Sequence, residues 1–381
     1  MISSILGINM EIDFERLEIA STALPSHYNF ELLKSINHIK KLKCKKVTLQ
    51  FPEGLLLYAQ TISQILEDFC AIECCILGDV TYGACCIEDV KSKEIHSDLL
   101  IHYGHSCLVP IQDTVCPVLY IFVTIKINNK QLIESITFNF DNDRKYALLG
   151  TVQFINAVHA AATYLSDNGY DVIVPQSRPL SKGEVLGCTS PKLDLNCTVI
   201  FVSDGRFHLE SVMINNPSLE FYRYDPFTQA ITHEHYEFEK MKFIRQKAMS
   251  IAKKATKWGI IQGTLGRQGN PHVVNALRSK CNENGIETEL FMMSEINLEK
   301  LKNCNIDAFI QISCPRLSVD WAHESDIPLL NSYEAYKVLN DEMEIQEYPM
   351  DFYSHNSDGP WSIGYFNNPK RKRHLKLNKT N

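Results

Sequence analysis

The chain contains thirteen cysteines among 381 residues, yet no two of them stand at positions i and i+3. Zinc ribbons and ferredoxins take paired ligands at that spacing, so neither class of site is supported by a local motif. Cys70 and Cys74 begin the radical-enzyme signature Cys-x3-Cys-x2-Cys, but position 77 is a leucine. An odd number of cysteines also argues against a complete disulfide framework. A metal cluster in this chain would need ligands from distant segments.

Positive charge and long apolar runs are also scarce. The formal net charge is -7, which disfavours a nucleic acid or an anionic membrane as partner. The basic residues Lys370–Arg373, Lys376 and Lys379 are interpreted as a solvated tail without a role. No stretch reaches the roughly 18 apolar residues of a membrane span, and the first residues lack the basic region of a secretory signal. We therefore expect a cytoplasmic protein with reduced cysteines.

The order of apolar runs and helical patterns predicts an α/β protein. Strand–helix–strand patterns begin near Lys46, Tyr146 and Trp258, which is typical of parallel βαβ units. We predict three similar four-stranded parallel-sheet domains at residues 24–145, 146–236 and 237–345. They are flanked by an N-terminal extension, 1–23, and by a C-terminal segment with the basic tail, 346–381. A helix from about Glu237 to Lys257 is predicted to join the last two domains.

Each predicted domain offers one thiol beyond the end of a strand. Cys85 follows the strand Ile72–Leu77, Cys188 lies in Gly187-Cys-Thr-Ser-Pro191, and Cys314 follows Ala308–Ser313. Ligands of α/β proteins bind at the carboxyl ends of strands. Three thiolates around a [4Fe-4S] cube would leave one iron open to a substrate, although by spacing alone this is a weak indication. Seven cysteines in or beside apolar runs are interpreted as core residues: Cys44, Cys70, Cys74, Cys75, Cys197, Cys281 and Cys304.

Polar residues at other strand ends suggest a cosubstrate site. The loop Gly263–Gly269 has the spacing Gly-x2-Gly-x2-Gly, which matches neither the dinucleotide fingerprint nor a P-loop. It could let the backbone approach a small adenosine ligand, or it could serve loop flexibility alone. Arg206 and Arg267 are candidate donors to a carboxylate, and Asp204 is grouped with them. His102, His105 and His208 also fall at predicted strand ends.

Several strings along the chain resemble one known family, the diphthamide biosynthesis family. They cover the chain in order from about residue 24 to Trp361, namely Leu24-Pro-Ser-His-Tyr-Asn-Phe-Glu31, Phe51-Pro-Glu-Gly54, Gly78-Asp-Val-Thr-Tyr-Gly-Ala-Cys-Cys86, His102-Tyr-Gly-His-Ser-Cys107, Gly150-Thr-Val-Gln-Phe154, Gly263-Thr-Leu-Gly-Arg-Gln-Gly269 and Tyr348-Pro-Met-Asp-Phe-Tyr353. The match resembles most the catalytic subunit of that family's histidine-modifying synthase.

The resemblance implies an atypical radical S-adenosylmethionine enzyme whose three domains stand in a pseudo-threefold arrangement around one [4Fe-4S] cluster. Cys85, Cys188 and Cys314 take the positions of the family's cluster ligands, and Cys86 and Cys107 are the competing candidates. Gly263, Arg206, Arg267 and Asp204 are expected to contact S-adenosylmethionine, and no catalytic residue is expected beyond the cluster. The family's chemistry breaks the bond from sulfur to the γ-carbon of S-adenosylmethionine and releases methylthioadenosine.

The resemblance also implies partners. The 3-amino-3-carboxypropyl fragment goes to carbon 2 of a histidine in translation elongation factor 2. The catalytic subunit forms a heterodimer with a related second subunit and takes electrons from a small iron-binding diphthamide protein. Three alternatives stand beside this interpretation: a quinolinate-synthase-like [4Fe-4S] dehydratase, a non-catalytic or electron-relay partner subunit, and a structural zinc protein. The complete Tyr82-Gly-Ala-Cys85 motif and the Tyr348–Tyr353 string favour the catalytic subunit.

Overall fold

The structure is a computed structural model that describes residues 13–79, 82–321 and 326–367. Val80 and Thr81, in the string Gly78–Cys86, lie outside the described residues, as do the start of the predicted N-terminal extension and the basic tail. Two compact units are formed. The first holds residues 13–79, 82–83, 88–105 and 111–126 of the described chain, and the second holds 84–87, 106–110 and the described residues from 127 onward.

The first unit is built on a parallel four-stranded sheet. Its strands and helices are, in chain order, α1 Phe14–Ser21, β1 Tyr28–Asn29, α2 Leu32–Leu42, β2 Lys46–Gln50, α3 Glu53–Leu56, α4 Ala59–Cys70, β3 Glu73–Ile76, α5 Asp89–Glu94, β4 Leu99–Tyr103, β5 Val118–Ile121 and β6 Thr124–Ile125. The sheet order is β3-β2-β4-β5, and β1 pairs antiparallel with β6. Every residue of β4 is buried, as expected for an inner strand of a parallel sheet with both faces covered.

The second unit contains two further sheets. The remaining elements are α6 Asn129–Asn139, β7 Lys145–Gly150, α7 Ile155–Asp167, β8 Asp171–Ile173, β9 Cys197–Val202, α8 Phe207–Asn215, β10 Glu220–Asp225, β11 Ala230–Glu234, α9 Phe238–Ala252, β12 Lys257–Gly263, α10 Pro271–Glu283, β13 Glu287–Met293, α11 Leu298–Leu301, β14 Ala308–Ile312, β15 Leu329–Asn331, α12 Ser332–Leu339 and α13 Ile363–Asn367. The sheet orders are β11-β10-β9-β7-β8 and β13-β12-β14-β15.

The predicted α/β class with parallel sheets is confirmed, with one difference in the middle sheet. Its four strands β10, β9, β7 and β8 are parallel as predicted, but β11 adds a fifth strand antiparallel to β10. Each of the three predicted domains contains one of the sheets. Their boundaries and the pseudo-threefold arrangement stay predictions.

The third sheet is held by a cap and a buried ion pair. Helix α12 begins with a reciprocal capping box, in which the Asn331 side chain accepts from the Glu334 backbone and the Glu334 carboxylate accepts from the Asn331 backbone. The Arg245 guanidinium of α9 donates to both oxygens of the same Glu334 carboxylate at 2.6 and 2.7 Å. Helix α9 is thereby fixed beside the end of β15.

The segment after α12 returns to the core. Met350, Phe352 and Tyr353 are buried in the same apolar cluster as Trp258 and Ile310. Residues of this segment also pair with the loop that carries Cys188, through an antiparallel bridge between Thr189 and Asp351. The described part of the predicted C-terminal segment, residues 346–367, thus packs within the second unit.

Candidate thiol site

The three predicted thiols all belong to the second unit. Cys85 does so because residues 84–87 are assigned to this unit although the flanking chain belongs to the first. Each of Cys85, Cys188 and Cys314 is partly exposed, and every cysteine in the chain is a free thiol. The charges of Cys188 and Cys314 act on Cys85, and the charge of Cys314 acts on Cys188. The structure therefore brings together the three cysteines that the sequence singled out.

The pKa values of these thiols are all raised. A hydrogen bond with Cys86, burial, and the charges of Cys86, Cys188 and Cys314 raise the pKa of Cys85. Burial, followed by the charge of Cys314, raises the pKa of Cys188 to about 12, and burial raises that of Cys314. Thiolates crowded in this way need a cationic group to stabilise them, and bound metal deprotonates coordinating thiols.

The Cys85 segment is in close contact with the glycine-rich loop 263–269. The Arg267 amide donates to the Cys85 carbonyl at 2.7 Å. Gly266 has φ +54°, and a Cβ there would stand 2.6 Å from the Cys86 Cα and carbonyl carbon. This position therefore requires glycine, both for its left-handed backbone and for the close approach to Cys86. The glycine at position 266 thus has a packing reason, beside the two alternatives of an adenosine ligand and loop flexibility.

The Cys188 loop is fixed by the C-terminal segment. The Phe352 amide donates to the Cys188 carbonyl at 3.3 Å, and the Tyr353 amide donates to the Thr189 hydroxyl at 3.3 Å. That hydroxyl donates in turn to the Cys188 Sγ at 3.7 Å. A Cβ on Gly187 would stand 2.3 Å from the Phe207 ring, so a larger residue would displace the loop.

Arg316 ties the Cys314 loop to helix α8. Its buried guanidinium donates to Asp320 at 2.9 Å and to the Phe207 carbonyl at 2.9 Å, and it lies 4.3 Å from the centre of the Phe207 ring. Because the same ring contacts Gly187, the loops of Cys188 and Cys314 share one support. Residues Leu317–Trp321 then form a π-helical turn, a distortion often found at functional sites.

Tyr353 and Gln268 lie among the thiols. The charges of Cys85, Cys188, Cys314 and Cys86 all contribute, after burial, to the raised pKa of Tyr353. The Tyr353 hydroxyl donates to the Gln268 carbonyl at 3.2 Å. Sequence reasoning gave neither residue a role, although both stand inside strings that carried the family resemblance.

The donor set fits an iron–sulfur cluster better than a single metal ion. Within residues 13–79, 82–321 and 326–367, no group of three or more His, Cys, Asp or Glu side chains converges closely enough for one ion. A four-iron cube binds its cysteines at separate corners, so its ligands stand farther apart than those of a single zinc. Three free thiols from separate loops match that requirement, and sulfur donors suit iron–sulfur clusters.

The predicted cosubstrate residues are placed differently. Arg206 is exposed, and its guanidinium donates to Glu210 at 2.9 Å, to Glu234 at 3.1 Å and to the His235 carbonyl at 2.8 Å. Exposed Asp204 accepts from Gln153 at 3.4 Å. Arg206 would have to exchange these partners to bind a carboxylate. Only Gly263 and Arg267 stand in the loop that contacts the thiol segments.

Gly263 lies beside the residue that precedes Cys314. It ends β12, and a Cβ there would stand 2.7 Å from the Ser313 hydroxyl, so its bare backbone makes room for that side chain. A cavity of about 20 Å³ in this region is lined by Gln268, Gln311, Ser313 and Tyr353, among others. That volume accommodates about one water molecule and is too small for an adenosine group.

Of the histidines at strand ends, buried His102 and half-buried His208 have a lowered pKa. His102 is in the first unit, where its Nδ1 lies 2.8 Å from the Gln50 side-chain oxygen and burial lowers its pKa well below the ordinary value. In the second unit, burial and the charge of Arg316 lower the pKa of His208 to about 4. Both are neutral at physiological pH.

The comparisons with known proteins identify the family of the chain. The sequence model of a diphthamide synthesis protein family matches residues 51–349. Proteins named 2-(3-amino-3-carboxypropyl)histidine synthase subunit 1 match from Nematostella vectensis, at 48% identity over 89% of this chain and 73% of that protein, and from Homo sapiens, at 46% over 92% and 81%. The same protein from Candida albicans matches at 47% over 92% and 84%.

A solved structure extends the likeness to the fold. The crystal structure of Dph2 from Pyrococcus horikoshii with a 4Fe-4S cluster superposes with a TM-score of 0.72, at 25% identity, over 88% of this chain and 97% of that one. The chain belongs to the diphthamide synthesis family, which confirms the predicted resemblance. The predicted enzyme class, a 2-(3-amino-3-carboxypropyl)histidine synthase, is confirmed by the names of the three relatives, and "subunit 1" disfavours the partner-subunit alternative.

No helix in the described ranges has both the length and the apolar character required to cross a membrane.

Proposed function

We propose that this chain transfers a 3-amino-3-carboxypropyl group from S-adenosylmethionine to carbon 2 of a histidine in translation elongation factor 2. This is the first step of diphthamide biosynthesis. The observation that carries the proposal is that the segments of Cys85, Cys188 and Cys314 are joined by hydrogen bonds through the Gly263–Gly269 loop and Tyr353. Membership of the diphthamide synthesis family and the 4Fe-4S cluster of the related Dph2 structure support it.

These three thiols would hold a [4Fe-4S] cluster. When bound, such a cluster supplies the electron that breaks the bond from sulfur to the γ-carbon of S-adenosylmethionine, with methylthioadenosine as the adenosine product. The chain itself fixes the three thiol loops through Arg267, Tyr353 and Arg316. Gly263 and Arg267 are proposed to face S-adenosylmethionine, while Arg206 and Asp204 would first have to exchange their present hydrogen-bond partners.

The partners are part of the proposal. A related second subunit would complete a heterodimer, and a small iron-binding diphthamide protein would deliver electrons in the cytoplasm. No nucleic acid or membrane is required, in line with the net charge of -7.

The product identifies the reaction. The anaerobically reconstituted chain, with the second subunit, S-adenosylmethionine, a one-electron reductant and elongation factor 2, should release methylthioadenosine and add the mass of the aminocarboxypropyl group to the factor. Release of 5′-deoxyadenosine would show that a different sulfur bond breaks. An intact cluster without any cleavage would argue against the radical route.

The ligands are tested by substitution. Cys85→Ala, Cys188→Ala and Cys314→Ala should each lose most of the cluster iron after reconstitution. Cys197→Ala is the control, because Cys197 is buried in the core at the start of β9. Equal iron in all four variants would contradict the ligand assignment.

A further inference from the structure

Cys85 and Cys86, in the loop after β3, are two adjacent candidates for one ligand position of the cluster. The Sγ atoms of Cys85 and Cys86 are 4.0 Å apart, so either could reach a nearby iron after a small rotation. Cys85 is partly exposed, whereas Cys86 is 1% exposed. Because the two cysteines are adjacent in the sequence, a contact elsewhere in the fold has to determine which Sγ atom would bind the cluster.

The side chain of Gln268 makes that distinction. Its amide Nε2 donates to the Cys86 Sγ at 3.6 Å. A hydrogen bond to one of two neighbouring sulfurs favours the rotamer that keeps that thiol beside its partner, here beside the buried Gln268 amide. The contact is non-local, since the two residues are 182 positions apart in the chain.

Gln268 is itself held in place on two sides. Its side-chain oxygen accepts from the Ser313 hydroxyl at 2.5 Å, and its backbone carbonyl accepts from the Tyr353 hydroxyl at 3.2 Å. The residue is 8% exposed, so it has little freedom to move. Ser313 precedes Cys314, and Tyr353 is bonded to Thr189 beside Cys188. Gln268 thus connects the segments of all three thiols.

We infer that Gln268 is the positioning residue that selects Cys85 over Cys86 as the cluster ligand. It acts through Cys86, by tying that thiol back into the core, and through Ser313, which orients the amide. The inference rests on the proposed function, because it concerns the cluster that the three thiols would hold. Hydrogen-bonding partners around metal ligands typically change metal affinity about 10- to 100-fold, and hydrogen bonds to sulfur tune cluster potentials.

A double substitution shows whether Gln268 selects the ligand or only stabilises the fold. Reconstituted Cys85→Ala should contain little iron, because Gln268 keeps Cys86 away. Cys85→Ala/Gln268→Leu should regain iron at least about tenfold over Cys85→Ala, because Cys86 is then released to replace the missing ligand. Gln268→Leu alone should load but show two electron paramagnetic resonance species in the reduced state, and adding Cys86→Ala should leave one.

Matched variants control for folding. Gln176→Leu removes an exposed glutamine amide of the second unit, which also donates a hydrogen bond, to the Leu180 carbonyl at 2.8 Å, and should behave as the unsubstituted chain. Ser313→Ala leaves the Gln268 side chain in place but removes the hydroxyl that orients it. This variant should show the same two electron paramagnetic resonance species, with a smaller share of the second one. Gln268→Glu preserves the size of the side chain and removes the donor, so it should resemble Gln268→Leu.

A readout without iron distinguishes failure of this inference from failure of the proposed function. In the metal-free chain, N-ethylmaleimide should label Cys85 faster than Cys86, and Gln268→Leu should reduce that ratio at least about tenfold by mass spectrometry of the peptide. An unchanged ratio, or full iron in Cys85→Ala alone, would overturn the selection by Gln268. An unsubstituted chain that takes up no iron would instead overturn the proposed function, and the labelling ratio would still decide the role of Gln268.

Discussion

Glu184 is a buried carboxyl group whose ionisation the fold resists. It is 1% exposed, it accepts from the Ser181 amide at 3.0 Å, and it also accepts from the Ser106 hydroxyl. Burial raises its pKa to about 7 from an ordinary 4.5, and the hydrogen bonds from Ser181 reduce this increase. The sequence around it, Gly183-Glu-Val185, carried no indication of this, because burial of a single carboxyl group depends on the tertiary fold.

The raised pKa predicts a pH-dependent stability. Between about pH 4.5 and 7 the native chain keeps a proton on Glu184 that the unfolded chain has lost, so native stability falls as pH rises through this window. The size of the shift corresponds to about 3 kcal/mol at most. Glu184→Gln, which cannot ionise, should abolish this part of the pH dependence.

The comparison of the two proteins isolates the effect of Glu184. Urea midpoints of the unsubstituted chain and of Glu184→Gln, measured at pH 5 and pH 8, should diverge in favour of the variant at pH 8. Parallel pH profiles would show that Glu184 does not hold its proton in the native state. Other titrating groups are common to both proteins and cancel in the difference.

At the scale of elements, the buried ion pair of α9 and α12 predicts a large stability effect. Arg245 and Glu334 are 1% and 0% exposed, and the carboxylate also accepts from the Tyr348 hydroxyl at 2.7 Å. Arg245→Met would leave the carboxylate buried without its cation, at a cost of about 3–5 kcal/mol in unfolding free energy.

Two further variants show whether charge or packing is responsible. Arg245→Met/Glu334→Leu should recover much of the loss, because no unpaired charge is then buried. Lys302→Met, in the exposed pair with Glu299 at 2.7 Å, should change the denaturation midpoint far less. If Arg245→Met unfolds at the same urea concentration as Lys302→Met, the buried pair is not a major stabilising element.

The strands and most helices were predictable because their patterns are local. The predicted strands at Lys46, Tyr146, Trp258 and Ala308 all occur, as β2, β7, β12 and β14. Helix α8 was not predicted, because it is apolar on most sides and shows no helical period. Strand β11 was also missed, since its sequence Ala-Ile-Thr-His-Glu is polar and largely exposed at a sheet edge.

The thiols of the site were predictable, whereas their supports were not. Cys85, Cys188 and Cys314 stand out in the sequence because each follows a strand in a loop with Gly or Pro. Gln268 and Tyr353 act through contacts with residues 182 and 164 positions away, and no local pattern marks such pairs. The acidic partners of Arg206, Glu210 and Glu234, could not be predicted from its strand-end position either, because Glu234 lies on a different strand.

At the scale of the whole molecule, the thiol site is assembled from five separated segments of the second unit. They contain Cys85, Cys188, the loop Gly263–Gly269, Cys314 and Tyr353, joined by the hydrogen bonds described above. A group that bridges such segments stabilises the native state without any new contact elsewhere, because it binds the folded arrangement and not the unfolded one.

Cluster loading should therefore slow hydrogen exchange in all five segments together. Helix α6, which takes part in none of these contacts, is the internal reference and should be unaffected. The same experiment with Cys188→Ala should show no protection in any of the five segments. Protection confined to residues around Cys85 alone would mean that the group is held by one loop and not by three.

The contacts of Tyr353 also determine when the site can form during synthesis. Cys85 and Cys188 are synthesised before the C-terminal segment. The Cys188 carbonyl and the Thr189 hydroxyl can accept their hydrogen bonds only when Phe352 and Tyr353 have been added. The hydrogen bonds around Cys188 therefore exist only after residue 353 has been added. A chain that stops before residue 352 would carry all three cysteines without the contacts that fix the Cys188 loop.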